Sequence, residues 1–182
     1  ILRRMRRPDT RASLEKLIGK LREAVPDISL RTTVITGFPG ETDRHFEELM
    51  EFVEHCQFDH LGVFTYSDEE EARAFALDEK VPAELASERQ ERLLALQHEI
   101  SRERLERFLG REMQVLLEGR SSGEMYVGRT SHQAKEVDGV TYVRGANLPL
   151  HGFVRARIEK TLDYDLIGAP LVAAPPGLMQ IL

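Results

Sequence analysis

Hydrophobic residues in the first half of the chain switch between helical spacing and continuous β-rich runs. Residues 10–25 repeat apolar positions at helical spacing, with Thr10 as the N-cap and Pro26 as the stop. The pattern also predicts a second helix after Thr42, a long helix over 82–109, and strands over 28–36 and 58–66. Strand, helix, strand, helix is the order of parallel α/β architecture.

The second half of the chain changes to short β-rich segments separated by turns. Five strands are predicted over residues 112–118, 125–129, 140–144, 153–160 and 165–172. Five short strands within about sixty residues favour a small, OB-like closed barrel, because closure leaves no exposed sheet edge. We place a domain boundary at Gly110, which separates residues 1–109 from a β-barrel domain over 110–172 and a flexible tail over 173–182.

Charge and hydropathy narrow the classes of partner. The net charge of −6 lies entirely in residues 1–109, which hold 17 Lys and Arg against 23 Asp and Glu, whereas residues 110–182 hold 8 of each. General nucleic-acid binders are usually basic, so RNA is the less favoured partner. No apolar run approaches the length of about eighteen residues that a membrane span needs, and no secretory signal is seen, so we expect a cytoplasmic location and no membrane partner.

Cys56 is the single cysteine, which excludes an internal disulfide and a cysteine-ligated cluster built from these residues alone. It lies on the apolar stripe of the second predicted helix, so we interpret it as a small core residue. The six histidines show no metal-ligand spacing on a common face, and no metal site is predicted. The arginines at positions 3, 4, 6 and 7 fit either a solvated surface or a contact with RNA or a ribosome.

The stretch from Arg31 to Thr42 carries the most information about function. It has the pattern of a buried strand, then the turn Gly37-Phe38-Pro39-Gly40, then a helix N-terminus. A ligand can approach the backbone closely at glycine, and α/β proteins bind ligands at the carboxyl ends of parallel strands. A structural turn without a ligand explains the same residues, so the pattern alone leaves both interpretations open.

Three segments resemble the radical S-adenosylmethionine methylthiotransferases. Residues 35–42, ITGFPGET, are similar to the VGFPGET segment of that family, residues 2–7, LRRMRR, to its LKRMRR stretch, and residues 58–67, FDHLGVFTYS, to its next strand. The order and spacing of these three segments also agree with those in the family. The resemblance implies that residues 1–109 are the last strands and helices of a partial (β/α)6 radical SAM barrel, and that the β-rich end is a TRAM domain.

Two subfamilies are compatible with this resemblance. One methylthiolates an adenosine of transfer RNA, and the other an aspartate of ribosomal protein twelve of the small subunit. Residues 136–140, EVDGV, are similar to the EIDG turn of the second, residues 58–67 are closer to its FDRLGVFTYS version, and a neutral barrel suits a protein better than a polyanion. We therefore expect methylthio transfer to Cβ of the aspartate, with the TRAM barrel contacting the ribosomal protein and possible contact with the ribosome.

Two alternatives stay open. The first is the transfer-RNA adenosine methylthiotransferase, which a strongly basic TRAM face would favour. The second is a non-catalytic RNA- or ribosome-binding TRAM module, which gains weight if the gene begins at Ile1.

S-adenosylmethionine, as the family binds it, would lie across the ends of both predicted strands. The resemblance implies cofactor contacts from Arg31, Thr33, Ile35, Gly37, Thr65, Tyr66 and Ser67. Arg31 would face the methionyl carboxylate, and residues 65–67 would offer backbone groups to the adenine. Roles other than cofactor contact are compatible with three of these residues. Ile35 fits a core position, Arg31 fits an ion pair at the rim, and the side chain of Thr33 can point inward or outward.

The sequence departs from the family in two respects. The CxxxCxxC loop, whose cysteines hold the [4Fe–4S] cluster that cleaves S-adenosylmethionine, is absent, as is the domain with the second cluster. We expect an excerpt of a longer transferase, inactive alone, with no catalytic acid, base or nucleophile in these residues. Residues 69–74, EEEARA, stand where the family has EEGTPA, which leaves the shape of that loop open. Half a barrel also leaves sheet edges unpaired, so self-association is expected.

Overall fold

The computed structural model describes residues 1–171 and separates into two compact units. We call Ile1–Arg104 the α/β unit, and the described residues from Leu105 onward the barrel unit. The tail predicted over 173–182, and the last residue of the strand predicted to end at 172, lie outside the described residues.

The α/β unit alternates helices and strands in the predicted order. Both of its first two helices begin at predicted threonine caps, because the Thr10 and Thr42 hydroxyls accept hydrogen bonds from backbone N–H groups of the first helical turn. The elements are α1 (Arg11–Ala24), β1 (Arg31–Thr36), α2 (Asp43–Cys56), β2 (His60–Thr65), a 3-10 helix (Arg73–Ala76) and α3 (Ala83–Glu106), whose last two residues belong to the barrel unit. Within the described residues, none of these helices combines the length and apolar character that crossing a membrane requires.

The two strands pair in parallel, in register from Arg31 opposite His60 to Thr36 opposite Thr65. Helices α2 and α3 cover one face of this small sheet, and the core between them is formed by Phe46, Val53, Val63, Leu93 and Ile100. The predicted parallel α/β arrangement is confirmed. Its assignment to a partial (β/α)6 radical SAM barrel stays a prediction.

A second core cluster explains why both strands begin later than predicted. Leu30, Cys56 and Phe58 pack together with Ile18 of α1. The apolar residues before each strand therefore belong to the core and not to the strand pairing. The Asp59 carboxylate accepts a hydrogen bond from the Leu30 N–H at 2.8 Å and fixes this junction. Cys56 is 2% exposed, which confirms its predicted core position.

The barrel unit is a closed five-stranded barrel, as predicted. Its strands are β3 (Glu112–Ser122), β4 (Met125–Arg129), β5 (Thr141–Arg144), β6 (Phe153–Thr161) and β7 (Leu166–Pro170), arranged in the order β3-β4-β5-β7-β6. Among the pairings of the described barrel strands, β5–β7 is parallel and the others are antiparallel. The EVDGV segment over 136–140 lies between β4 and β5.

The segment between α3 and β3 belongs to the barrel core. Helix α3 ends at Glu106, earlier than predicted, because Leu105 and Phe108 pack on the barrel residues Ile158 and Leu166. Gly110 has a φ of +75° and donates its N–H to the Ile158 carbonyl at 2.8 Å. The predicted boundary at Gly110 therefore falls inside the barrel unit.

Candidate functional site

Alternate residues of β1 face two different environments. Val34 packs against the helix-covered core, and the Thr36 hydroxyl donates to the Ala86 carbonyl of α3 at 3.0 Å. The residues between them point to the opposite side, where the sheet carries no helix in the α/β unit. We call this side the open face, and it is formed by Arg31, Thr33 and Ile35 of β1 and their register partners His60, Gly62 and Phe64 of β2.

The open face presents apolar surface to solvent. Ile35 is 38% exposed and its register partner Phe64 is 61% exposed. A Cβ at Gly62 would lie 3.3 Å from the Thr33 hydroxyl and 3.5 Å from the Phe64 ring, so Gly62 keeps the middle of this face shallow. Thr33 faces the open side, and Ile35 is not a core residue of this unit. Exposed apolar surface of this kind is typical of a site that binds a ligand or a partner.

Residues 65–67 continue from the open face at the carboxyl end of β2. Thr65 and Ser67 are exposed, whereas Tyr66 is half-buried. The Tyr66 N–H donates to the Thr36 carbonyl at 2.8 Å, and its ring packs edge-on against Phe38 with 5.4 Å between centroids. The Tyr66 side chain and its backbone N–H therefore both hold the loop in place.

A polar cluster holds the loop that follows β2. The Tyr66 hydroxyl donates to the Asp68 carboxylate at 2.8 Å, and the Lys80 ammonium donates to the same oxygen. The hydrogen bond from Lys80, followed by that from Tyr66, lowers the pKa of the Asp68 carboxyl below its ordinary value. Desolvation, followed by the hydrogen bond to Asp68, raises the pKa of the Tyr66 hydroxyl. Lys80 also donates to the Ala74 carbonyl at 3.2 Å, so the cluster contacts the end of the loop over 69–74, which lacks glycine and proline.

Gly37 lies on the other side of β1 from the open face. Its φ is +75°, and a Cβ at this position would approach the Ala86 Cβ of α3 to 2.4 Å. The close packing of a helix therefore requires this glycine, which supports the interpretation of the turn as structural. Phe38 and Pro39 are buried beside it.

A buried ion pair fastens the turn to α3. The Glu41 carboxylate accepts from the Gly37 N–H at 3.0 Å and from the Arg89 guanidinium at 2.8 Å. Arg89 is 2% exposed and also donates to Asp43 at 2.6 Å. This pair was not predicted from the sequence. Its signal was an arginine at helical spacing from Leu93 on the apolar stripe of α3, where a charge needs a buried partner.

Arg4, near the start of the chain, contacts the turn over residues 37–40. Its guanidinium donates to the Pro39 carbonyl at 2.9 Å and pairs with Glu79. A Cβ at Gly40, where φ is +84°, would overlap the guanidinium of Arg4. Of the arginines near the start, Arg4 therefore has an intramolecular role.

Arg31 lies at the far end of the open face from the predicted nucleoside contacts. At about 3.3 Å per residue, β1 extends roughly 17 Å from Arg31 to Thr36. The structure brings Ile35 next to the carboxyl end of β2, but it does not bring Arg31 next to Thr65 and Ser67. A ligand that contacts all of them would extend along the whole open face.

The barrel unit carries a separate groove of about 400 Å³. Its apolar lining includes Met113, Leu116 and Phe153, and its polar lining includes Arg111, Arg129 and His132. Phe153 is 62% exposed. Along the same strands, Arg155 and Arg157 both donate to the Glu112 carboxylate at 2.9 Å. Aromatic residues and arginine are enriched at protein interfaces, and the groove offers both.

Comparison with known proteins adds two findings. The TRAM domain model matches residues 109–171. Three relatives named ribosomal protein uS12 methylthiotransferase RimO come from Thermotoga sp. (strain RQ2), 50% identical over 169 residues, Synechocystis sp., 47% identical over 170 residues, and Sorangium cellulosum, 46% identical over 170 residues. These alignments cover 93%, 92% and 92% of this chain and 39%, 38% and 35% of the relatives. The chain thus spans less than two fifths of the length of the relatives it matches.

Proposed function

Because the chain belongs to the family of the ribosomal protein uS12 methylthiotransferases, we propose that the protein containing it adds a methylthio group to Cβ of an aspartate in a small-subunit ribosomal protein. The observation that carries this proposal is the 50% identity, over 93% of the chain, to a relative with that name. Since the chain corresponds to 39% of that relative, the activity is proposed for the whole protein, which we expect in the cytoplasm.

S-adenosylmethionine is the cofactor that we propose for the open face, and when bound it supplies the adenosyl radical source and the methyl group. The exposed side chains of Ile35 and Phe64 fit the adenine, and Gly62 leaves room for it. The backbone of Thr65 to Ser67 would hydrogen-bond the adenine edge. Gly37 would act by positioning the turn, while Arg31 and Thr33 stay predicted contacts of an extended ligand.

The residues of this chain do not fit an iron–sulfur cluster. Cys56 is buried in the α/β core, and among residues 1–171 no three His, Cys, Asp or Glu side chains come together as metal ligands. Radical chemistry needs such a cluster, so we propose that cysteines elsewhere in the protein hold it. The residues of this chain would bind and orient S-adenosylmethionine.

The barrel groove is the surface that we propose for the ribosomal protein. Phe153 offers an aromatic anchor. Nearby, Arg155 pairs with Glu112 and Arg129 pairs with Glu118. A domain with equal numbers of acidic and basic residues binds a polyanion weakly, because RNA affinity depends on neutralising phosphates.

Deleting the gene tests the proposal. Mass spectrometry of ribosomal protein uS12 should show that one aspartate loses the mass of a methylthio group, and a plasmid copy should restore it. If the aspartate keeps its modification and a methylthioadenosine disappears from transfer RNA, the transfer-RNA enzyme is the correct assignment. If neither changes, the binding-module alternative is favoured.

A further inference from the structure

Glu79 and Lys80 contact the two loops that follow β1 and β2. The proposed function gives these two consecutive residues no role. We call this pair the clasp. The Glu79 carbonyl accepts from the Gly40 N–H at 2.9 Å, in the turn after β1. The Glu79 carboxylate pairs with Arg4, whose guanidinium also donates to the Pro39 carbonyl. Glu79 thus holds the turn after β1 through both its backbone and its side chain.

Lys80 holds the loop after β2. Its ammonium donates to the Asp68 carboxylate and to the carbonyls of Ala74, at 3.2 Å, and Phe75, at 3.0 Å. An ammonium has three N–H donors, so all of them are used. The Nζ atom also lies 5.4 Å from the Tyr66 ring centroid and 5.5 Å from that of Phe75. Lys80 therefore joins the start of this loop to its end.

The backbone between the two contacts is strained. Glu79 has a φ of +62°, in the left-handed region that residues other than glycine adopt rarely. Such a conformation persists where surrounding contacts hold it, and it occurs often near functional sites. Residues 69–74 lack glycine and proline. The Ala72 N–H closes a local turn on the Glu69 carbonyl at 2.9 Å, and Lys80 adds contacts at Ala74 and Phe75 from outside the turn.

We propose that the clasp is a positioning device that couples the two loops and so fixes the rim of the open face at the carboxyl ends of β1 and β2. The inference rests on the proposed S-adenosylmethionine site. Glu79 and Lys80 are positioning residues, because their contacts are to the loops and not to the open face.

Hydrogen exchange in the 182-residue chain tests the coupling. Lys80→Met keeps the aliphatic stem and removes the donors, and Lys20→Met, at an exposed position of α1, is the matched control. We expect Lys80→Met to accelerate amide exchange about tenfold at Phe75 and also at Gly40, which Lys80 does not contact. Acceleration confined to the loop after β2 would overturn the coupling.

Calorimetric titration of the full-length protein with S-adenosylmethionine tests the effect on the rim. Lys80→Met should weaken binding about fivefold or more, since a loop that must be ordered on binding costs affinity, and Lys20→Met should not change it. Equal affinity of wild type and Lys80→Met would overturn the rim role. If the wild type does not bind, the proposed cofactor site fails, and exchange at Gly40 still decides on the clasp. If Lys80→Met does not fold, Lys80→Arg, which keeps the charge but not the geometry, should show the same changes to a smaller degree.

Discussion

Arg89 shows why a single charged residue can be required inside the α/β core. Its guanidinium is the counter-ion of the buried Glu41 carboxylate, which in turn holds the Gly37 amide. Pairs of this kind add little net stability when intact, but removing one partner leaves a buried charge without compensation. The energetic effect of a mutation therefore exceeds the energy of the contact itself.

We expect Arg89→Met to lower the free energy of unfolding by about 3–5 kcal/mol, because Glu41 loses its counter-ion. Arg92→Met is the matched control. Both arginines lie over the Phe46 ring, at 5.5 Å for Arg89 and 4.7 Å for Arg92, but the Arg92 pair with Glu47 is exposed. The control should therefore change stability by less than about 1 kcal/mol. Urea denaturation measures both, and equal losses would contradict this account.

Burial is the main cause that raises the pKa of the Cys56 thiol above its usual value. A raised pKa means that the folded state disfavours the thiolate. The contribution of the neutral thiol to stability is thus complete below the unfolded-state pKa of about 8.5, and it is lost as the pH rises through the folded-state pKa. We expect the stability difference between wild type and Cys56→Ala, measured by urea denaturation, to shrink as the pH rises above the unfolded-state pKa of about 8.5. A constant difference would show that the thiol does not titrate in this window.

The β1–β2 pair is the element whose two faces differ most in role. Gly62→Val adds a side chain between Thr33 and Phe64, whereas the helix-covered face stays as it is. We expect circular dichroism to show an unchanged fold and titration to show an affinity for S-adenosylmethionine lowered by about tenfold or more, since the new methyl groups occupy the ligand volume.

Gly19→Ala is the control for this variant, because a Cβ at Gly19 in α1 meets no atom within 4 Å. It should bind as the wild type does. Unchanged binding by Gly62→Val would place the cofactor away from the open face.

Strand β6 places Phe153 at the groove of the barrel unit. Truncating an aromatic anchor at the centre of an interface costs at least about 2 kcal/mol. Phe153→Ala in the full-length protein should therefore lower the rate of the proposed methylthio transfer at limiting substrate by more than about tenfold. Val137→Ala, at a position 67% exposed between β4 and β5, is the control and should retain the rate. Equal rates for the two variants would remove the groove from the proposed partner surface.

At the scale of the whole molecule, the two units differ in how their strand edges are satisfied. The barrel is closed, whereas β1 and β2 form a two-stranded sheet within the described residues. We expect a fragment over 105–171 to be monomeric, and a fragment over 1–104 to self-associate as its concentration rises, because unpaired edges accept further strands. Size-exclusion chromatography with light scattering measures this. A 1–104 fragment that stays monomeric at high concentration would show that its edges are protected.

The sequence predicted the type and order of the elements because these depend on local patterns. The apolar period located α2, whose Phe46, Val53 and Cys56 are buried, and the side chains of Thr10 and Thr42 marked the caps. The predicted bounds of the strands were less accurate where apolar residues pack in the core outside the strand. Leu30 and Phe58 were assigned to strands because they are apolar, but they pack on each other before the ladder begins.

Periodicity, caps and turn residues were enough to divide the chain into an α/β part and a closed β-barrel and to locate the strand–turn–helix segment at 31–42. Only the tertiary structure decided which side of β1 is open, since a period of two defines two faces and does not say which one the helices cover. It also decided that Ala86 requires Gly37, and that Arg89 pairs with Glu41, 48 residues away in the chain. Contacts between residues so far apart depend on how the elements pack, and no local pattern records that packing.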